Sequence, residues 1–195
     1  DIENSDTAQR IQIAKKIAEK EFTKIEAEGI TGKPLTWATV KEEILRDLFN
    51  FVEEDKVWLE EQGLTPIWTE KPFGFEKNDS LEYLKIPLKD GSEIYFRGMI
   101  DRVDLSNDKK RIFVTDYKTG SATPYMQMNK DPLDSGRRLQ LPIYSVAVKQ
   151  AFPEIEQSHG SYWFITSRAN FVRISIDLAE IQERFDEVIE NISTG

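Results

Sequence analysis

The chain has 195 residues, no cysteine, one histidine and a formal net charge of −9. This length is enough for one domain with a substantial core, and the absence of cysteine excludes disulfides. The acidity argues against a broad, non-specific nucleic-acid surface, although local phosphate contacts remain compatible with it. No apolar run is long enough to span a membrane and no secretory leader is visible, so the expected location is cytoplasmic.

Residues 1–5 are expected to be loose, with Asp6 as a candidate N-cap. From Thr7 to about Glu28, Ile11, Ala14, Ile17, Ala18, Phe22 and Ile25 recur at helical spacing. This helix is expected to cover the core of the same domain. Thr39 followed by Glu42 resembles a capping box and predicts a second helix ending near Gln62. Its expected apolar face carries Ile44, Leu45, Leu48, Phe49, Val52 and Leu59. Its glutamates read as solvated surface.

Pro66 to Glu70 reads as a strand, and a polar stretch from Lys71 to Ser80 follows. A strand from Leu81 to Leu88, a hairpin turn at Lys89-Asp90-Gly91-Ser92 and a strand from Glu93 to Asp104 come next. Gly98 lacks a side chain and is a candidate point for close approach by metal, backbone or DNA. A polar turn from Ser106 to Lys110 leads into a strand from Arg111 to Lys118.

These last two strands carry the chemistry. Strand side chains alternate, so Asp116 and Lys118 share a face and Tyr117 takes the other. With Asp101 facing them from the adjoining strand, two carboxylates and an ammonium meet at one point. Two buried like charges need compensation. A divalent cation such as Mg²⁺ or Mn²⁺ supplies it through oxygen ligands, and such an ion polarises a phosphodiester and acidifies bound water. Lys118 then holds the attacking water or stabilises phosphate oxygens. The competing reading of Asp-x-Lys is an exposed ion pair at a strand end. Arg102 and Asp104 are expected to pair with each other on the face opposite Asp101.

Residues 121–136 read as a loop. Its Tyr125, Met126 and Met128 either touch a nucleotide base or anchor the loop to the core. Lys130, Arg137 and Arg138 form a local basic group, suited to phosphate contact or to surface solubility. A helix is expected from Arg137 to about Phe152, with Gln140 and Tyr144 on one face. His159 is expected in a loop, before strands at Gly160–Thr166 and Phe171–Ile176. Asp177 with Glu180 opens a final helix whose Ile181, Phe185, Val188 and Ile189 face the core.

The ordered set Gly98-x-x-Asp101, Asp116-Tyr117-Lys118-Thr119-Gly120 and Gln140-x-x-x-Tyr144 resembles the PD-(D/E)XK nuclease superfamily, in particular its RecB-like branch in bacterial helicase–nucleases. The resemblance implies an α/β (α+β) restriction-endonuclease-like core, a central mixed β-sheet flanked by helices. It also implies a single nuclease domain over 1–195, with helices in 1–62 and the sheet core in 66–192. It implies Asp101 and Asp116 as ligands of Mg²⁺ or Mn²⁺, Lys118 as catalytic, and Gln140 and Tyr144 as residues that order the site or contact DNA. Glu70 is the candidate for a glutamate that relatives often carry near the site. The implied activity is DNA phosphodiester hydrolysis leaving a 5′-phosphate, with DNA and a helicase domain or subunit as partners. RecB-like nucleases usually carry a metal-ligand histidine well before the Gly-x-x-Asp strand, whereas His159 follows every motif. The chain is therefore expected to be a C-terminal fragment of a longer protein, or a catalytically inactive structural or DNA-positioning relative. Without cysteine it cannot supply the iron–sulfur cluster of some relatives.

Overall fold

The computed structural model describes residues 7–76 and 78–194; the expected loose segment and Asp6 cap lie outside them. Helices α1 (Thr7–Ala27) and α2 (Pro34–Gln62) precede strand β1 (Leu64–Phe73). Strands β2 (Leu84–Pro87), β3 (Glu93–Phe96), β4 (Gly98–Ser106) and β5 (Arg111–Lys118) follow. Helix α3 (Gln140–Ala151), strands β6 (Gln157–Phe164) and β7 (Arg173–Asp177) and helix α4 (Leu178–Thr194) complete the chain.

The main sheet has the order β1-β4-β5-β6-β7. Only its β5–β6 pair is parallel. Parallel neighbours need a crossover, and α3 lies within the one that joins them. The result is a mixed sheet flanked by helices, the restriction-endonuclease-like core expected from the motifs. The hairpin β2–β3 forms a separate sheet, turned at Asp90, whose Oδ1 accepts from the Ser92 N–H at 2.9 Å.

Both faces of the main sheet are covered. Leu141, Ala147 and Val148 of α3 and Ile181, Phe185 and Ile189 of α4 are buried on one side with Val103, Val114, Tyr162 and Phe164. Helix α2 covers the other, where Phe51 packs against Tyr117 and Trp163, and Trp58 against Phe113.

Several expectations are corrected. Helix α2 starts at Pro34, which occupies the first turn where its missing N–H costs nothing. Thr39 is then interior, and its hydroxyl bonds back to the Leu35 carbonyl. The sheet-facing stripe of α2 is also different from the expected one. It includes Asp47, Phe51, Asp55 and Trp58, while Ile44 is exposed. Helix α1 packs on α2 through an edge-on Phe22–Trp37 contact, and its Ile17 faces solvent. The strand expected from Glu93 to Asp104 is broken at Arg97 into β3 and β4. Residues 123–129 and 134–136 wind into 3-10 turns inside the expected loop. His159 lies within β6, stacked on Phe113 with Nδ1 3.6 Å from Asp177 Oδ2, because β6 begins earlier than its apolar run suggests.

Candidate active site

The β4–β5 register pairs Arg102 with Thr115 and Val103 with Val114. One step further along, Asp101 comes opposite Asp116, and the Tyr117 N–H donates to Asp101 Oδ2 at 2.8 Å. The Lys118 ammonium contacts Asp116 Oδ2 directly. Helix α3 closes the site from above: Lys118 Nζ donates to Gln140 Oε1 at 3.4 Å, and Gln140 Nε2 donates to the Tyr144 hydroxyl at 3.2 Å. Asp116, Lys118, Gln140 and Tyr144 thus form one polar chain across β5 and α3, and Asp101 is held beside it by the Tyr117 N–H. Gly98 admits aromatic rings at the point where metal or DNA was one expectation. A Cβ there would lie 2.8 Å from Phe73 Cε1 and 3.1 Å from Tyr144 Cε1.

Electrostatics in this chain follow from burial. Asp116 is 1 % exposed. Desolvation raises its carboxyl above the ordinary range, the Lys118 ammonium opposes that rise, and the Asp101 charge adds to it. Burial also raises the Tyr144 phenol, with the Gln140 hydrogen bond opposing and both carboxylates reinforcing the rise. A carboxyl raised on folding stabilises below its ordinary value and loses that contribution as pH rises through the raised value. Asp116→Asn is therefore expected to be at least as stable as the parent at pH 7. Its advantage should vanish as pH falls to about 4, read from urea midpoints at both pH values.

The other expected site residues lie outside this polar chain. Glu70 is exposed and holds φ +49° within β1. Among the described residues, no three His, Cys, Asp or Glu side chains gather as a metal site, so Glu70 does not join Asp101 and Asp116. Arg137 Nη2 lies 2.7 Å from Asp134 Oδ1, and Arg138 Nε 3.5 Å from Asp134 Oδ2. The Arg138 guanidinium also lies 3.7 Å from the Tyr125 ring centroid. Tyr125 packs edge-on against Tyr162 and Phe164, which fixes it to the core, as does the burial of Met128. Lys130 and Met126 are exposed.

The sheet face opposite the site holds a second polar cluster, of which sequence reasoning found only the Arg102–Asp104 pair. Arg102 Nε bonds Asp104 Oδ1 at 2.7 Å, while its Nη1 reaches Asp55 Oδ1 at 2.6 Å and the Tyr117 hydroxyl at 3.0 Å. Arg173 lies between two indoles, 4.0 Å from the Trp58 centroid and 3.4 Å from that of Trp163. Burial and the charge of Arg102 lower its guanidinium to about 10. Arg102 moves the other way: burial disfavours its charge, but its interactions with Tyr117, Asp104 and Asp55 together outweigh that and raise it. Two of these groups neighbour the site through the backbone, since Arg102 follows Asp101 and Tyr117 separates Asp116 from Lys118. The signal for Asp55 was its spacing, four residues from Phe51 and eight from Asp47, which places all three on one side of the helix.

Among the described residues, no helix is long and apolar enough to cross a membrane. The crystal structure of SSO0001 is similar to this chain at 13% identity and a TM-score of 0.36, covering 88% of this chain and 68% of that one. No curated protein matches the chain significantly. The profile that describes the PD-(D/E)XK nuclease superfamily matches residues 2–195, over the same strands and helix that gather Asp101, Asp116, Lys118, Gln140 and Tyr144, and the chain belongs to that superfamily.

Proposed function

We propose that this chain acts as a nuclease-fold structural and DNA-positioning module whose own residues make an incomplete hydrolytic centre. One observation carries this reading: each carboxylate has a protein partner, a backbone N–H in one case and an ion-paired ammonium in the other, and no third ligand side chain joins them among the described residues. Asp101 accepts from the Tyr117 N–H, and Asp116 is neutralised by Lys118. The polar chain and Asp101 then serve to tie β4, β5 and α3 together.

A second reading is metal-dependent DNA phosphodiester hydrolysis of the RecB-like kind, favoured by the convergence of Asp101, Asp116, Lys118, Gln140 and Tyr144. Mg²⁺ accepts as few as one or two carboxylates when water and substrate phosphates fill its remaining positions, so the donor set suits a weakly held ion. Asp101 and Asp116 would hold Mg²⁺ or Mn²⁺, which would supply charge for the phosphate oxygens and an acidified water. Lys118 would offer its ammonium to the same oxygens, with Gln140 fixing its position.

Calorimetric titration with Mn²⁺, alongside incubation with single- and double-stranded DNA, separates the two. The module reading expects no saturable heat and intact DNA, with Asp116→Ala changing neither. Saturable Mn²⁺ binding and 5′-phosphate products, both lost in Asp116→Ala and Lys118→Ala, would establish hydrolysis instead.

A further inference from the structure

Hairpin β2–β3 has two unlike faces. Leu84 is buried, and Ile86, Ile94 and Phe96 pack against the core clusters. The alternate positions, Tyr83 just before β2, Lys85 on β2, Tyr95 on β3 and Arg97 just after it, are all exposed. Lys85 and Tyr95 are direct cross-strand partners, with Lys85 Nζ 5.8 Å from the Tyr95 ring centroid. The Arg97 guanidinium lies 5.5 Å from the Phe75 ring centroid. Aromatic rings therefore alternate with cations on an otherwise acidic protein. The nearby acid, Glu93, is engaged by the Tyr95 hydroxyl, which keeps that phenol protonated.

This surface is tied to the candidate active site by packing. Phe73 meets Tyr144 edge-on at 5.7 Å. The next residue, Gly74, holds φ +73°, and a Cβ there would lie 2.7 Å from Arg97 Cβ and 2.9 Å from Tyr83 Cδ1. The turn after β1 thus fits flush against the hairpin and leaves no slack between it and the site.

We propose that the outer face of β2–β3 binds an unpaired nucleic-acid strand, with bases stacking on Tyr83 and Tyr95 and phosphates meeting Lys85 and Arg97. It deepens the DNA-positioning reading above and rests on it. Every base has a π face and every nucleotide a phosphate, so interleaved rings and cations suit single strands. In a duplex the faces of the bases are already stacked, and the rings have nothing to cover. Lysine is depleted from the cores of protein–protein interfaces, whereas Lys85 stands on this face directly across from Tyr95.

The test is fluorescence anisotropy of a labelled oligothymidylate and of a duplex of equal length, using the full chain with EDTA present. The single strand should bind more tightly than the duplex. Tyr83→Ala with Tyr95→Ala should weaken it about tenfold or more, while the paired phenylalanine variant keeps affinity. Lys85→Gln with Arg97→Gln should weaken it and flatten its salt dependence. Tyr83 and Arg97 also pack on Gly74, so the phenylalanine and glutamine variants, which keep that packing, should hold the parent unfolding midpoint. Preference for duplex, no binding at low salt, or alanine variants that bind like the parent would each overturn the proposal. Asp116→Ala separates this from the reading of the site: it removes any Mn²⁺ heat or cleavage, while hairpin binding in EDTA stays unchanged.

Discussion

Arg102→Met is expected to lower the unfolding free energy by about 3–5 kcal/mol, measured by urea denaturation at neutral pH. Arg102 is 5 % exposed and serves Asp104, Asp55 and the Tyr117 hydroxyl at once. Removing it leaves Asp104, itself 1 % exposed, as a buried carboxylate without its cation. Burial already raises the Asp104 carboxyl above its ordinary range while Arg102 opposes the rise, so the variant carboxyl should take up a proton on folding. The loss should then shrink as pH falls, because protonation removes the uncompensated charge. The paired change Arg102→Met with Asp104→Leu should cost much less than the single change, since apolar groups need no partner. An equal loss in the single and double variants would place the energy in packing and not in charge.

Trp163→Ala is expected to cost about 3–5 kcal/mol, with the damage concentrated under α2. Trp163 is 2 % exposed and packs against Phe51 at a tilt, with ring centroids 4.9 Å apart, and under the Arg173 guanidinium at 3.4 Å, while its Nε1 donates to the Phe171 carbonyl. Truncation opens a cavity and uncovers one face of a buried guanidinium. Hydrogen exchange should accelerate along α2, which contains no fully buried residue and is held through this row of rings. Amides of α3, on the other side of the sheet, should change little. Uniform acceleration across both helices would show that the two faces open as one unit.

The part of the fold that was legible follows from short-range rules. Alternation placed Asp116 with Lys118 and Tyr117 opposite, and the polar turn brought Asp101 to them. Helical spacing put Gln140 and Tyr144 within one hydrogen bond. The Asp90-Gly91 pair marked the hairpin correctly. The face under α2 was hidden because its inward stripe is half polar. Asp47 and Asp55 look like solvent positions until Ser167 and Arg102 are known to meet them. Hydrophobic periodicity therefore favoured Ile44 and Leu48 and passed over Phe51 and Trp58. Glu70 escaped for another reason, since a left-handed turn of the backbone inside β1 has no signature in a Thr-Glu-Lys run. The counter-charge beside Arg137 and Arg138 was hidden because Asp134 reaches them through an irregular pair of positive-φ residues.

The parallel β5–β6 pair has a temporal consequence. Asp101 and Asp116 are joined by a tight turn, whereas Gln140 reaches them at the end of a long connection. Closing the longer loop is entropically slower. On a ribosome or after dilution from urea, the acidic couple should assemble while its amide and phenol companions are still being threaded into place. The nascent hairpin must tolerate that interval with Lys118 as its nearest local counter-charge.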